Sequence, residues 1–140
     1  MLRKLFRERV QLNAVGGTYD ELRYRPRQDD RITTVRRVAV EDETTTPTGS
    51  LRLYVDGHAY THWLDEVPAP AVDRLYLFDD PIELLPGEDL VARITGCTAA
   101  DALAMYISGW WEPINPEELA LSLMRDILRL TLQLPGPSEG

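Results

Sequence analysis

Residues 51–63 read LRLYVDGHAYTHW and form the most distinct local pattern in the chain. Two runs rich in β-branched and aromatic residues flank Asp56-Gly57, a dipeptide typical of two-residue hairpin turns because both turn positions need a positive φ. The pattern therefore predicts an antiparallel hairpin in which Val55 lies opposite His58.

Similar short runs continue on both sides of this hairpin, separated by turn signals such as Pro86-Gly87. About eight short strands at this spacing predict an antiparallel β-sandwich or barrel, and we place a β-sandwich domain over residues 17–112. The expected strands are 18–24, 32–40, 51–55, 59–63, 74–78, 82–85, 90–95 and 103–110.

Residues 1–16 form a short basic N-terminal arm ahead of this domain. Leu2, Leu5 and Phe6 fall at helical spacing, which predicts one or two turns of amphipathic helix that is too short to be stable alone. Arg3, Lys4, Phe6 and Arg7 are the residues of the arm that we expect to dock onto a neighbour or a larger particle.

Residues 113–140 change to a helical period. Asn115-Pro116 and the two glutamates after it predict the start of an amphipathic helix that ends near Leu134, before a Pro-Gly-Pro stop. The apolar arc is wider than one helix needs on one sheet, so we expect part of it to contact a second chain. The expected contact residues are Leu119, Leu123, Ile127 and Leu130.

The length of 140 residues predicts one compact domain, and the formal net charge is −8. Residues 1–37 hold ten Arg and Lys against five Asp and Glu, a net of +5, whereas residues 38–140 hold five against eighteen, a net of −13. We find no apolar run long enough for a membrane span or a signal peptide. The single Cys97 excludes an internal disulfide, and we interpret it as a half-buried thiol and not as a nucleophile.

Arg23, Arg25 and Arg27 alternate, so a strand would present all three on one face. Such a basic stripe could bind nucleic acid or the acidic surface of a neighbouring subunit. Because the chain is acidic and lacks a nucleic-acid motif, we prefer the protein interface, which includes Arg23 and Arg25, and expect neither nucleic acid nor membrane as a partner.

His58, His62 and Glu66 are the residues from which a cupin-like metal site could be built. Side chains four residues apart on a strand are too widely separated to share one ion easily, so hairpin histidines with partners in the sheet are the better interpretation. We expect no metal, no cofactor and no catalytic residue, and carboxylates beside turns are interpreted as turn residues.

Three tryptophans are large enough to form contact sites. Adjacent Trp110 and Trp111 must point to opposite faces of a strand, so we expect one in the core and the other, Trp111 in our assignment, at an interface. An exposed Trp63, Tyr60 or Trp110 could instead stack on a sugar, which is the alternative function of a carbohydrate- or receptor-binding module.

Two segments carry a resemblance to a known class: LLPGEDLVARITG at 84–96 and TAADALAMYISGW at 98–110. They resemble the penultimate and last strands of small jelly-roll-type virion accessory proteins of tailed bacteriophages, such as decoration, spike or head-completion components. The resemblance covers about residues 17–112 and implies a multimer attached to a capsid or tail. Such proteins act through surfaces, so it transfers no functional residue.

These observations together predict a non-enzymatic structural protein that self-associates and binds a larger assembly. Its expected partners are further copies of itself, a trimer in preference to a dimer, and capsid or tail proteins. The expected location is the virion, assembled in the host cytoplasm.

Overall fold

A computed structural model describes residues 3–26, 31–57 and 60–114, together with Leu121, Met124, Arg125, Ile127 and Leu128. These residues form a mainly β structure with nine strands in two antiparallel sheets. The strands are β1 (Lys4–Asn13), β2 (Tyr19–Tyr24), β3 (Arg31–Asp42), β4 (Leu51–Asp56), β5 (Thr61–Val67), β6 (Tyr76–Phe78), β7 (Ile82–Leu84), β8 (Asp89–Thr95) and β9 (Ala102–Pro113). The prediction of antiparallel β structure is confirmed, and each expected strand overlaps an observed one.

The strand pairs are nested along the chain. β1 pairs with β9, β2 with β8, β3 with both β6 and β7, and β4 with β5. Two further pairings, β3 with β9 and β4 with β8, join these pairs into two sheets. The first sheet has the order β1-β9-β3-β6, with β7 also on β3, and the second has the order β2-β8-β4-β5.

The core lies between the two sheets, in a sandwich-like arrangement, and is built by alternation along the strands. β4 buries Leu51, Leu53 and Val55 and exposes Arg52, because successive side chains of a strand point to opposite faces. Residues of β9, including Met105, join the same apolar cluster from the first sheet. Full burial stabilises by about 1.5–3 kcal/mol per large aliphatic side chain, so this cluster holds the sheets together.

The expected N-terminal helical arm is wrong, because residues 4–13 are strand β1. This strand pairs with β9 along its whole length, from Lys4 opposite Trp111 to Asn13 opposite Ala102. Phe6, Val10 and Leu12 alternate and pack against the core cluster. That two-residue period matches a strand, and an isolated short helix would have had nothing to stabilise it.

The central hairpin forms, but its predicted register is wrong. Val55 lies opposite His62 and not His58, and a bulge shifts the pairing between Leu53 and Tyr54. The Gly57 amide donates to the Tyr60 carbonyl over 3.0 Å, which ties together the two ends of the connection between β4 and β5. The Tyr60 hydroxyl also donates to Glu88, which anchors the start of β5 to the turn before β8.

The expected C-terminal helix lies mostly outside the described residues and stays a prediction. Leu119, Leu123 and Leu130 are outside them, and His58 is as well. Ile127 is described and is 63% exposed. Among the described residues, we find no helix long and apolar enough to cross a membrane.

Candidate interaction surfaces

The outer face of the first sheet carries a row of three side chains across β1, β9 and β3. Arg7 of β1 and Arg37 of β3 both lie opposite Ser108 of β9. Since neighbouring strands are about 5 Å apart, the two arginine backbones flank the small serine at about 10 Å from each other. The two arginines thus flank the short side chain of Ser108.

Two adjoining depressions follow this face along β9. One, of about 530 Å³, is lined by Leu5, Phe6, Arg7, Arg36, Ser108, Gly109 and Trp110. The other, of about 480 Å³, is lined by Arg7, Glu8, Arg9, Arg37, Ala39, Tyr106, Ile107 and Ser108. We call the surface formed by Arg7, Arg9, Arg36, Arg37 and Ser108 the arginine trough.

A bulge in β3 brings two consecutive arginines to the trough. The register of β3 on β9 shifts between Val35 and Arg37, and Arg36 is the extra residue. Without the bulge, consecutive side chains would point to opposite faces of the sheet. With it, Arg36 lines the first depression and Arg37 lines the second.

The positive charge of the trough is only partly neutralised. Arg9 lies 3.4 Å from Glu43, and Arg37 lies 3.2 Å from Asp79, both as exposed pairs. Within the described ranges, Arg7 and Arg36 have no carboxylate partner. Exposed ion pairs contribute little, so the trough keeps cations that an acidic surface could engage.

The outer face of the second sheet, in contrast, carries a network of ion pairs formed within the chain. Arg23 donates to Asp56 at 2.8 Å, to Asp89 at 2.9 Å and to Glu21 at 3.2 Å. Arg25 lies 3.0 Å from Asp89. The predicted interface arginines Arg23 and Arg25 are thus paired within the chain, and their contact with a neighbour stays a prediction.

The carboxylates of this network are held in the charged form. Burial alone would raise the pKa of Asp89. The hydrogen bonds from Arg25 and Arg23 lower it by more, so the pKa lies below its usual value. Burial also raises the pKa of Glu21, and hydrogen bonds from Arg93 and Tyr54 bring it below its usual value. Because its carboxylates and arginines are paired with one another, this network contributes to holding the fold together.

The tryptophans occupy three different surroundings. Trp63 on β5 is 49% exposed and tilts against Tyr54 at 4.8 Å between ring centroids. Trp110 faces the trough, and the Arg3 guanidinium lies 4.9 Å from its ring centroid. Trp111 points to the other face of β9 and lies opposite Thr33, which is buried. The Arg31 guanidinium lies 3.5 Å from the centroid of the Trp111 ring. The adjacent pair points to opposite faces, as predicted, but both rings are half-buried and neither belongs to the core cluster, so the expectation that one lies in the core is wrong. Trp110, and not Trp111, lines the depression on the outer face, and the contact of Trp111 with a neighbour stays a prediction.

The residues of the alternative metal site are engaged elsewhere or lie outside the described residues. His62 lies opposite Val55 on β5, and Glu66 forms an exposed ion pair with Arg52 at 3.2 Å. His58 is not described. Within the part of the chain that is described, no three His, Cys, Asp or Glu side chains are placed to hold a metal ion.

Cys97 is a buried thiol beside acidic side chains. Burial, reinforced by the negative charges of Asp42, Asp20 and Asp101, raises its pKa to about 12, so the thiolate is scarcely populated at neutral pH. Asp42 and Asp101 each have one buried carboxylate oxygen without a hydrogen-bond partner among the described residues. Burial raises the pKa of Asp42, and Asp101 raises it further.

Sequence reasoning identified part of the trough and missed the rest. Of the trough residues it selected only Arg7 as a contact residue, and it did not select Arg9, Arg36, Arg37 or Ser108. The alternation of Arg7 and Arg9 could have indicated a strand with one cationic face. The place of Ser108 opposite both Arg7 and Arg37 depends on strand pairing, which no local pattern shows.

The comparisons with known proteins place the chain in no family. No protein-family model matches its sequence, and no curated protein matches it significantly.

Proposed function

We propose that this chain is a non-enzymatic structural protein that self-associates and attaches to a larger assembly, as a virion accessory component of a tailed bacteriophage. The observation that carries the proposal is the arginine trough, in which Arg7 and Arg36 lack carboxylate partners in the described ranges although the chain has a net charge of −8. An acidic surface of a neighbouring subunit or of a capsid or tail protein fits such a face.

The strand order supports a jelly-roll-like sandwich. When β6 and β7 are counted together, the pairs β1–β9, β2–β8, β3–β6/β7 and β4–β5 are nested in the way that a long rolled hairpin produces. Jelly rolls of eight strands occur in viral capsid proteins and in lectins, so this order agrees with the proposal without selecting it over sugar binding.

Two measurements test the proposal. Light scattering after size exclusion should give a mass above the 15.9 kDa of one chain, a trimer in preference to a dimer, and the mass should fall as salt screens the charges. Antibody detection on gradient-purified phage particles from cells that carry the gene should find the chain. A monomer at every concentration overturns self-association, and particles without the chain overturn the virion assignment.

A carbohydrate-binding module is a second candidate because of the exposure of Trp63. Its indole forms one wall of a depression of about 320 Å³ that also includes Arg52, Asp65 and Glu66. An aromatic face beside carboxylate and guanidinium groups can stack on and hydrogen-bond to a sugar ring. A glycan array should then show binding that Trp63→Ala removes, and an array without binding excludes this function.

A further inference from the structure

Several strands of the described structure have a strand neighbour on one side only. In the first sheet these are β1, which pairs only with β9, and β6 and β7, which pair only with β3. In the second sheet they are β2, which pairs only with β8, and β5, which pairs only with β4. Because β6 and β7 have only three residues each, and the outward charges of β2 are engaged in the ion-pair network, β1 and β5 are the two edges best suited to pair with another chain. Each strand therefore has one side on which the backbone amides and carbonyls have no strand partner. An edge of this kind can accept a strand from another chain through main-chain hydrogen bonds.

Both edges are long and accessible enough for such pairing. β1 has ten residues, and its Leu5 is 84% exposed. β5 has seven residues, of which all but Val67 are exposed. Edge strands of this length are usually shielded, so their exposure here calls for a partner or a protective device.

The charges on the two edges are opposite. β1 carries Lys4, Arg7 and Arg9 against a single Glu8. β5, with the sequence THWLDEV, carries two carboxylates and neither Lys nor Arg. Pairing of β1 with β1, or of β5 with β5, would place like charges across from each other, which is destabilising. Pairing of β1 with β5 places opposite charges together, so the same residues oppose the symmetric contacts and favour the asymmetric one.

We propose that β1 of one copy pairs edge to edge with β5 of a second copy. The inference rests on the proposed self-association and specifies its interface. Because the two surfaces differ, the contact is head-to-tail, and repetition produces a closed ring or a filament. A trimer is the smallest closed ring of more than two subunits that such a contact can form.

Charge reversal tests the partner choice. Arg7→Glu with Arg9→Glu makes both edges acidic, and Asp65→Lys with Glu66→Lys makes both basic, so each variant alone should lose self-association by on the order of tenfold or more. A chain that carries all four changes should assemble again as the unmodified chain does. The two variants mixed should also associate, but only with the two kinds of chain alternating, so that any closed ring has an even number of subunits. The matched control is Asp80→Lys with Glu83→Lys, which applies the same charge change as the second variant to exposed carboxylates outside β1, β5 and the arginine trough, and it should leave assembly intact.

Amide exchange followed by NMR tests the strand pairing itself. On assembly of the unmodified chain, alternate β1 amides, those that point away from β9, should gain protection. Circular dichroism of each variant confirms that it is folded. Assembly that persists in both reversed variants, or that leaves these amides unprotected, overturns the edge contact while the proposed self-association stands. A chain that is monomeric throughout refutes both.

Discussion

Phe6 of β1 and Tyr24 of β2 stack with their ring centroids 5.8 Å apart and their planes 13° from parallel. The two strands belong to different sheets, so this ring pair closes the sandwich along one side. The basic N-terminal segment is therefore held to the core by an aromatic contact, and its arginines are presented on a fixed strand.

Removal of the Phe6 ring should loosen β1. We expect Phe6→Ala to lower the free energy of unfolding by about 2 kcal/mol, less than for a fully buried ring because Phe6 is only partly buried. Urea unfolding followed by tryptophan fluorescence measures this. Leu5→Ala, next to it but 84% exposed, is the control and should change the stability by less than about 0.5 kcal/mol. Equal effects of the two changes would contradict the role of the stack.

Asp89 should stabilise the second sheet only while it is charged. Its carboxylate is 6% exposed and accepts hydrogen bonds from Arg23 and Arg25, so Asp89→Asn should lower the free energy of unfolding by about 2 kcal/mol at pH 7. Because the folded-state pKa of Asp89 is lowered, its contribution is present above the ordinary value of 3.8 and is lost as the pH falls through the folded value.

Urea unfolding of the unmodified and Asp89→Asn chains between pH 7 and pH 2 checks this. The difference between them should shrink as the pH falls below 3.8. A difference that stays constant with pH would show that the loss comes from packing and not from charge.

Asp42 should show the opposite pH dependence. Its folded-state pKa is raised, so the stability that its neutral form contributes is present below the ordinary value of 3.8 and is lost as the pH rises through the folded value. We therefore expect Asp42→Asn to raise the free energy of unfolding by about 1 kcal/mol at pH 7 and to have little effect in acid. Thermal unfolding across this pH range measures it.

The contrasting substitution is Asp42→Ala. It also removes the charge, but it removes the acceptor for the amides of Thr44 and Thr45 at 3.0 and 3.2 Å as well. It should therefore destabilise at every pH. A gain in stability from both substitutions would show that these hydrogen bonds contribute nothing.

Substitution of Gly109 should destabilise the fold at the point where β9 pairs with the bulge of β3. A Cβ atom at this position would lie 2.0 Å from the Thr34 carbonyl oxygen and 3.0 Å from the Val35 Cα, which are backbone atoms that cannot rotate away. We expect Gly109→Ala to destabilise by about 2–3 kcal/mol in urea unfolding. Gly17→Ala, where a Cβ meets nothing within 4 Å, should be close to neutral, and a neutral Gly109→Ala would mean that the bulge relaxes easily.

The strands of the sandwich could be predicted where alternation and turn residues coincide. β4 and β8 lie close to their expected bounds because the apolar period of two is interrupted by clear turn signals at both ends. Strand β1 could not be predicted in this way, because Leu5 and Phe6 fit a helical spacing as well as a strand spacing. Pairing with β9, which is about a hundred residues away in the chain, decides between the two.

The sequence by itself determined the antiparallel class, the number of strands in the middle of the chain and the unequal distribution of charge, because these follow from local composition and periodicity. Only the tertiary structure decided that Arg23 and Arg25 are paired within the chain, that Arg7 and Arg37 face each other across Ser108, and that β1 and β5 lie at open edges. The physical reason is that hydrogen-bonded strand pairing joins residues far apart in sequence, and no local pattern records which strand will be the neighbour.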